Sequence, residues 1–118
     1  MRVLIAGLGT MGRSHALAHH THPGTTIVGL VNRSKVELPA ELASYPLFEN
    51  FEEALAQTSP DLVVIATYTD THADYAVAAM EAGAHVFVEK PLAGTVAVAE
   101  RVVSAARRLN RKLGVGYI

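Results

Sequence analysis

The feature that most constrains this chain is Gly7-Leu8-Gly9-Thr10-Met11-Gly12, a G-x-G-x-x-G spacing reached after only six residues. It follows the apolar run Val3 to Ala6 and opens a segment, Thr10 to Thr21, that reads as a helix. A strand turning sharply into a helix uses the first glycine for the tight turn. The second lets a bulky ligand approach the backbone, and the third lets helix and sheet pack closely. N–H groups at the start of such a helix lack intrahelical partners and attract phosphate. In this context the motif predicts a dinucleotide whose pyrophosphate lies on Gly7, Leu8, Gly9, Thr10, Met11 and Gly12.

The rest of the chain carries the same punctuation. Ile27 to Val31, Leu62 to Ala66, His85 to Val88 and Leu113 to Ile118 are short, mostly apolar runs. They lack polar alternation, as strands covered on both faces do. Pro46-Leu47-Phe48 reads as a further short strand. Helices are expected between them. One runs from Asn50 to about Gln57, with Asn50 and Glu53 at capping-box spacing. A second, rich in alanine, covers Asp70 to Ala82, with Asp70 or Thr69 at its cap and Gly83 as its stop. The third covers Thr95 to Leu109, with Arg107 and Arg108 in its last turn, where the helix dipole favours cations. Ser34 to Tyr45, interrupted by Pro39, supports at most a short helix. This alternation predicts an α/β fold: a Rossmann doubly wound parallel sheet of about six strands in a three-layer αβα arrangement.

Composition excludes several other classes. The 118 residues include no cysteine, so disulfides, thiolate metal sites and cysteine nucleophiles are ruled out. A net charge of -1 gives no electrostatic reason to expect nucleic acid or an anionic membrane. Arg101, Arg107, Arg108, Arg111 and Lys112 have no aromatic stacking platform and read as a solvated helix face. No apolar run approaches the ~18 residues of a membrane span. An intracellular, cytoplasmic protein is expected. His15 and His19 are four apart on a helix, with His20 and His22 close by, but no third ligand follows, so no metal site is expected. His85 opens a strand and reads as structural.

The second expected strand ends where such folds select their cofactor. An acidic residue about 20 positions beyond the glycines binds the adenosine ribose of NAD. That position holds Asn32, followed by Arg33, Ser34 and Lys35, and the next carboxylate is Glu37. Arg33 and Ser34 suit a 2′-phosphate, which an acid would repel. NADP is therefore the expected cofactor and NAD the alternative, with Asn32, Arg33 and Ser34 as contacts. The bland reading leaves Arg33 and Lys35 as ordinary loop charges.

Three segments carry a family resemblance: Gly7 to Ala16, Ala66-Thr67-Tyr68-Thr69-Asp70-Thr71-His72, and Ala82-Gly83-Ala84-His85-Val86-Phe87-Val88-Glu89-Lys90-Pro91-Leu92. In order and spacing they resemble the glucose–fructose oxidoreductase / inositol dehydrogenase (Gfo/Idh/MocA) family over most of the chain. The second segment stands where the family has T-P-x-x-x-H, with Tyr68 in place of the proline, a departure in the loop against the nicotinamide. The third is close to A-G-K-H-V-x-x-E-K-P-L. The resemblance implies an NAD(P)-dependent oxidoreductase acting on CH–OH groups of a sugar, polyol or related carbonyl. It implies Lys90 as the catalytic residue, with Glu89 orienting lysine and cofactor and Pro91 fixing the turn through a cis bond. Thr67, Tyr68, Thr69 and His72 join Glu89, Lys90 and Pro91 on the cofactor side; His72 caps or packs rather than acting as a base, and His15 frames the site.

The family also implies a second α/β domain that supplies the substrate pocket, absent from this chain. Residues 1–118 are thus expected to be the dinucleotide-binding domain, binding cofactor without turning over substrate. A small-molecule substrate reached through the second domain is the expected partner, and a homo-oligomer is compatible with that reading. The competing reading is a free-standing nucleotide sensor or regulatory module; another nucleotide ligand in the same fold stays open.

Overall fold

The computed structural model describes residues 1–116. Six parallel strands form one sheet in the order β3-β2-β1-β4-β5-β6. In chain order they are β1 (Arg2–Ala6), β2 (Thr26–Val31), β3 (Leu47–Phe48), β4 (Leu62–Ile65), β5 (His85–Glu89) and β6 (Leu113–Gly116). Four helices connect them: α1 (Thr10–Thr21), α2 (Phe51–Thr58), α3 (Thr69–Glu81) and α4 (Val96–Leu109). A single 3-10 turn, Ala40–Leu42, is all that forms in the proline-interrupted segment. The last two residues of the expected final strand lie outside the described residues.

The unalternating runs are explained by what covers them. In β1, Val3 and Ile5 pack into the core under α1, with Ala16, Leu30 and Leu42. Leu4 and Ala6 point the other way, into the core under α2, α3 and α4, with Phe51, Ile65, Ala76 and Val102. These four side chains are fully buried, so polar residues have no place on either face. Ala73, Ala76 and Ala79 give α3 a small-residue face toward the sheet.

Caps set the helix boundaries. Asn50 Oδ1 accepts the Glu53 N–H at 2.8 Å, the first half of a capping box. The second half is missing, because the Glu53 carboxylate accepts from Gln57 Nε2 instead. Thr95 is the cap of α4, accepting the Val98 N–H at 3.2 Å, rather than its first residue. The cap expected at Asp70 or Thr69 is corrected to Tyr68, whose extended backbone precedes a helix beginning at Thr69. No side chain caps that end. Asp70 falls in the first turn, where its charge suits the dipole instead.

The sheet's crossovers change direction at β1. The chain moves outward through β2 and β3, then returns to place β4 on the other side of β1. The crevice beyond the carboxyl ends of β1 and β4 is therefore the switch point where such sheets bind ligands.

Candidate functional site

Two backbone bonds hold the switch point open. Gly7 N–H donates to Val31 O and Ala66 N–H to Ala6 O, each at 2.8 Å, as the chain leaves β1 and β4. Gly7 turns out of the strand at φ +92°, where a Cβ would stand 2.5 Å from Ala66 O. Only glycine serves there. The cavity that results measures about 630 Å³, within the range of small-molecule sites. Its floor is Gly7, Leu8 and Gly9; its walls are the loops after β2 and β4.

The floor fits a phosphate. Gly9 is the N-cap of α1, with no side-chain cap and no acidic residue in the first turn, so the helix start faces the cavity without a built-in anion. A Cβ on Gly9 would meet nothing within 4 Å. Gly9 thus leaves room above the backbone that packing within the protein does not require.

Sequence reasoning named sixteen cofactor contacts, and the structure divides them. Gly7, Leu8, Gly9, Asn32, Arg33, Ser34, Thr67 and Tyr68 line the cavity. Thr10, Met11, Gly12, Thr69, His72, Glu89, Lys90 and Pro91 do not. Gly12 serves packing: a Cβ there would lie 1.7 Å from Gly7 O. Asn32 faces the cavity but spends its amide on the protein. Its Oδ1 accepts the Leu8 N–H at 3.1 Å and its Nδ2 donates to Ser34 O at 2.7 Å. It therefore fastens the glycine loop to the β2 loop. Replacing Asn32 by Ala is expected to cost about 1–2 kcal/mol for the orphaned Leu8 amide, a loss of about 5 °C in melting temperature. A melting curve superimposable on the parent's would disprove that role.

Arg13, Lys35, Val36 and Tyr75 also line the cavity and were missed as site residues. Arg13 Nε donates to Leu8 O at 3.0 Å, bracing the loop from the helix. Tyr75 lies on α3 one turn beyond His72, and its ring stacks on Phe51 with centroids 4.0 Å apart. Burial pushes its hydroxyl above the ordinary value; the Arg33 charge opposes this, and Glu52 and Asp70 add to it. Tyr68, 80% exposed, presents its ring at the rim.

Lys90 lies one strand over, immediately past β5, and is exposed. The Lys90–Pro91 peptide bond is cis. His72, 1% exposed, lies between two accepting carbonyl oxygens, Pro91 O at 2.8 Å from Nδ1 and Thr67 O at 2.9 Å from Nε2. The Glu89 carboxylate turns to the α1 side of the sheet, where Oε1 is 2.5 Å from His15 Nε2. The other histidines are engaged locally: His19 with Thr25, His20 with Tyr45, His22 with the Gly24 N–H, and His85 with the Lys112 N–H. Desolvation, then the neighbouring His15 and His22, lowers the pKa of His19. Among the described residues, no group of three or more His, Asp or Glu side chains is placed to hold a metal ion. No described helix is long and apolar enough to cross a membrane.

Comparison with known proteins agrees with this geometry. A family model described as oxidoreductase family, NAD-binding Rossmann fold, matches residues 1–117. The chain is 37% identical to 4-carboxy-2-hydroxymuconate-6-semialdehyde dehydrogenase of Sphingobium sp., over 99% of this chain and 38% of that protein. It is 36% identical to inositol 2-dehydrogenase of Acidiphilium cryptum, over 100% of this chain and 37% of that protein. The crystal structure of scyllo-inositol dehydrogenase from Lactobacillus casei with bound NAD(H) and scyllo-inositol superposes with a TM-score of 0.86 at 26% identity. That match covers 98% of this chain and 36% of the other. The chain thus spans little more than a third of the length of these relatives.

Proposed function

Because the chain belongs to the Gfo/Idh/MocA oxidoreductase family through its NAD-binding Rossmann fold, we propose that it is the cofactor domain of an enzyme moving hydride between nicotinamide and a sugar, polyol or related carbonyl. The observation that carries this reading is the switch-point cavity, with an uncapped glycine-framed helix start in its floor and Lys90 immediately past β5, the strand beside β4. Bound there, the dinucleotide supplies the hydride acceptor or donor.

The chain's own residues bind, orient and move the proton. The uncapped start of α1 at Gly9 presents its N–H groups to the pyrophosphate over the Gly7–Leu8 turn, and the loop after β2 takes the adenosine end. Lys90 accepts the hydroxyl proton while the carbon gives up hydride, and returns a proton in the reverse direction. Its exposure leaves desolvation to whatever covers the carboxyl end of β5. We assign that cover, and the substrate pocket, to a further domain of the whole protein. The reading is of a cytoplasmic protein that meets small molecules rather than nucleic acid or membrane, and it is compatible with a homo-oligomer.

NADP is the cofactor we favour. Arg33, Ser34 and Lys35 line the cavity, and among the described residues no carboxylate does. Direct titration is expected to show tighter binding of NADPH than of NADH. Arg33→Ala is expected to weaken NADPH about tenfold or more, the worth of one charge-assisted hydrogen bond, and to leave NADH nearly unchanged. Tighter NADH binding by the parent protein would overturn the assignment.

A further inference from the structure

Lys90 follows the last residue of β5, and the residues on either side of it are held from opposite faces of the sheet. In β5, Val86 and Val88 belong to the core under α3 and α4, whereas Phe87 packs on the core under α1. Side chains alternate along a strand, so Glu89 shares the α1 face with Phe87. There its carboxylate, 13% exposed, meets His15 of α1 at 2.5 Å. The His15 ring in turn stands edge-on to Phe87, with centroids 5.3 Å apart. The neighbouring strand leaves room for this. Gly116 pairs with Glu89 in the ladder, and a Cβ on it would lie 2.9 Å from Glu89 Oε2. On the opposite face, His72 of α3 holds Pro91 O at 2.8 Å and reaches the β4 loop through Thr67 O.

We propose that His15 and His72 act together as positioning residues that hold the Lys90 turn from both sides of the sheet. This rests on the reading of Lys90 as the active-site lysine. His15 acts through the Glu89 side chain and His72 through the Pro91 main chain. The two grips differ in kind. The His15 grip is a side-chain pair between residues 74 apart in sequence, and it ties the turn to α1, whose N-cap Gly9 is part of the cavity floor. The His72 grip ties the same turn to the loop after β4, which walls the cofactor cavity. Lys90 is therefore tied to two elements that frame the cavity, α1 and the loop after β4, although it does not line the cavity itself. A charge-assisted hydrogen bond in a partly buried place is strong enough to fix a turn, and its loss releases both partners.

The chain has three lysines, Lys35, Lys90 and Lys112, which makes a direct test simple. After reductive methylation with ¹³C-formaldehyde, each gives its own dimethyl-ammonium NMR signal, assigned by Lys→Arg variants. His15→Leu and Glu89→Gln are expected to move the Lys90 signal while those of Lys35 and Lys112 stay in place. His15→Gln keeps an N–H donor toward Glu89 and is expected to bring the Lys90 signal back toward its original position, which a generic loss of packing would not do. In the unmodified parent, the backbone amide of Lys90 is expected to show an order parameter near about 0.85, that of rigid backbone. A Lys90 signal unmoved in both His15→Leu and Glu89→Gln, or a parent order parameter below about 0.6, would overturn the proposal. The parent measurement stands even if neither variant folds. None of these readings uses turnover, so a firmly held Lys90 that proves dispensable for catalysis would sink the functional reading and leave the positioning one intact.

Discussion

Gly12→Ala is expected to unfold the domain's most constrained corner, and Gly9→Ala, three residues away, to leave the fold untouched while removing its ligand. At Gly12 the added Cβ would lie 1.7 Å from Gly7 O and 2.7 Å from Gly7 C. Both are backbone atoms, so no rotamer relieves the clash. Either α1 moves off the sheet or the β1 turn distorts. Overpacking of this sort costs about 3 kcal/mol or more, and the melting temperature should fall by about 10 °C. At Gly9 the backbone is extended, with φ −72° and ψ −164°, which any residue adopts, and the Cβ meets nothing within 4 Å. Stability should stay within about 0.5 kcal/mol of the parent. The new methyl nonetheless occupies the space where a phosphate must approach the N–H groups of α1. Affinity for NADPH is expected to fall about a hundredfold, or about 2.7 kcal/mol. Melting curves with and without NADPH read both effects at once. Gly12→Ala should lower the baseline, and Gly9→Ala should keep the baseline and lose the ligand-induced gain. A Gly9→Ala protein with parental affinity would mean that phosphate does not sit on this loop.

The contrast shows which parts of the site were legible in the sequence. Strands, their parallel order and the glycine turn follow from local signals: β-branched runs without alternation, a short connection and three glycines at fixed spacing. Each depends on residues close together in the chain. The Asn50 cap was legible for the same reason. The start of α3 was not, because the extended Tyr68 backbone opens that helix without any polar cap to announce it. Asn32 was legible as a position but not as a role. Its bond to Leu8 spans 24 residues and exists only once β1 and β2 are paired. Tyr75 reads in sequence as one more residue of an alanine-rich helix. Its ring lies flat on Phe51 of α2, the helix of the β3–β4 crossover, a contact between two helices that the linear sequence does not announce. His15 and Glu89 carry no local mark of their pairing either. The fold brings them together because α1 packs over β1, β2 and β4, from where the His15 side chain reaches Glu89 at the end of β5, and no spacing rule in a linear sequence encodes that.

Lys90→Ala in the whole protein is expected to cut turnover about 10²- to 10⁴-fold, the range of a positioned acid–base group, with NADPH affinity unchanged. The split follows from placement. Lys90 stands past β5, exposed, while the cavity that takes the cofactor is built on β1, β2, β4 and α3. Removing its side chain deletes no cavity wall. Lys90→Arg is the sharper variant. It keeps a positive charge and a long stem at the same place, but guanidinium does not give up its proton in a protein. If Lys90 serves only to hold the substrate oxygen by charge, the arginine variant should retain much of the turnover. If it takes the hydroxyl proton, Lys90→Arg should be nearly as slow as Lys90→Ala. The geometry favours the second outcome, because the turn that carries Lys90 is fixed on both flanks, and a group held in place is what proton transfer over hydrogen-bond distance requires. Steady-state rates on a panel of polyols and sugars, with binding of NADPH measured separately, distinguish the two. Parental turnover in Lys90→Ala would remove this residue from the chemistry.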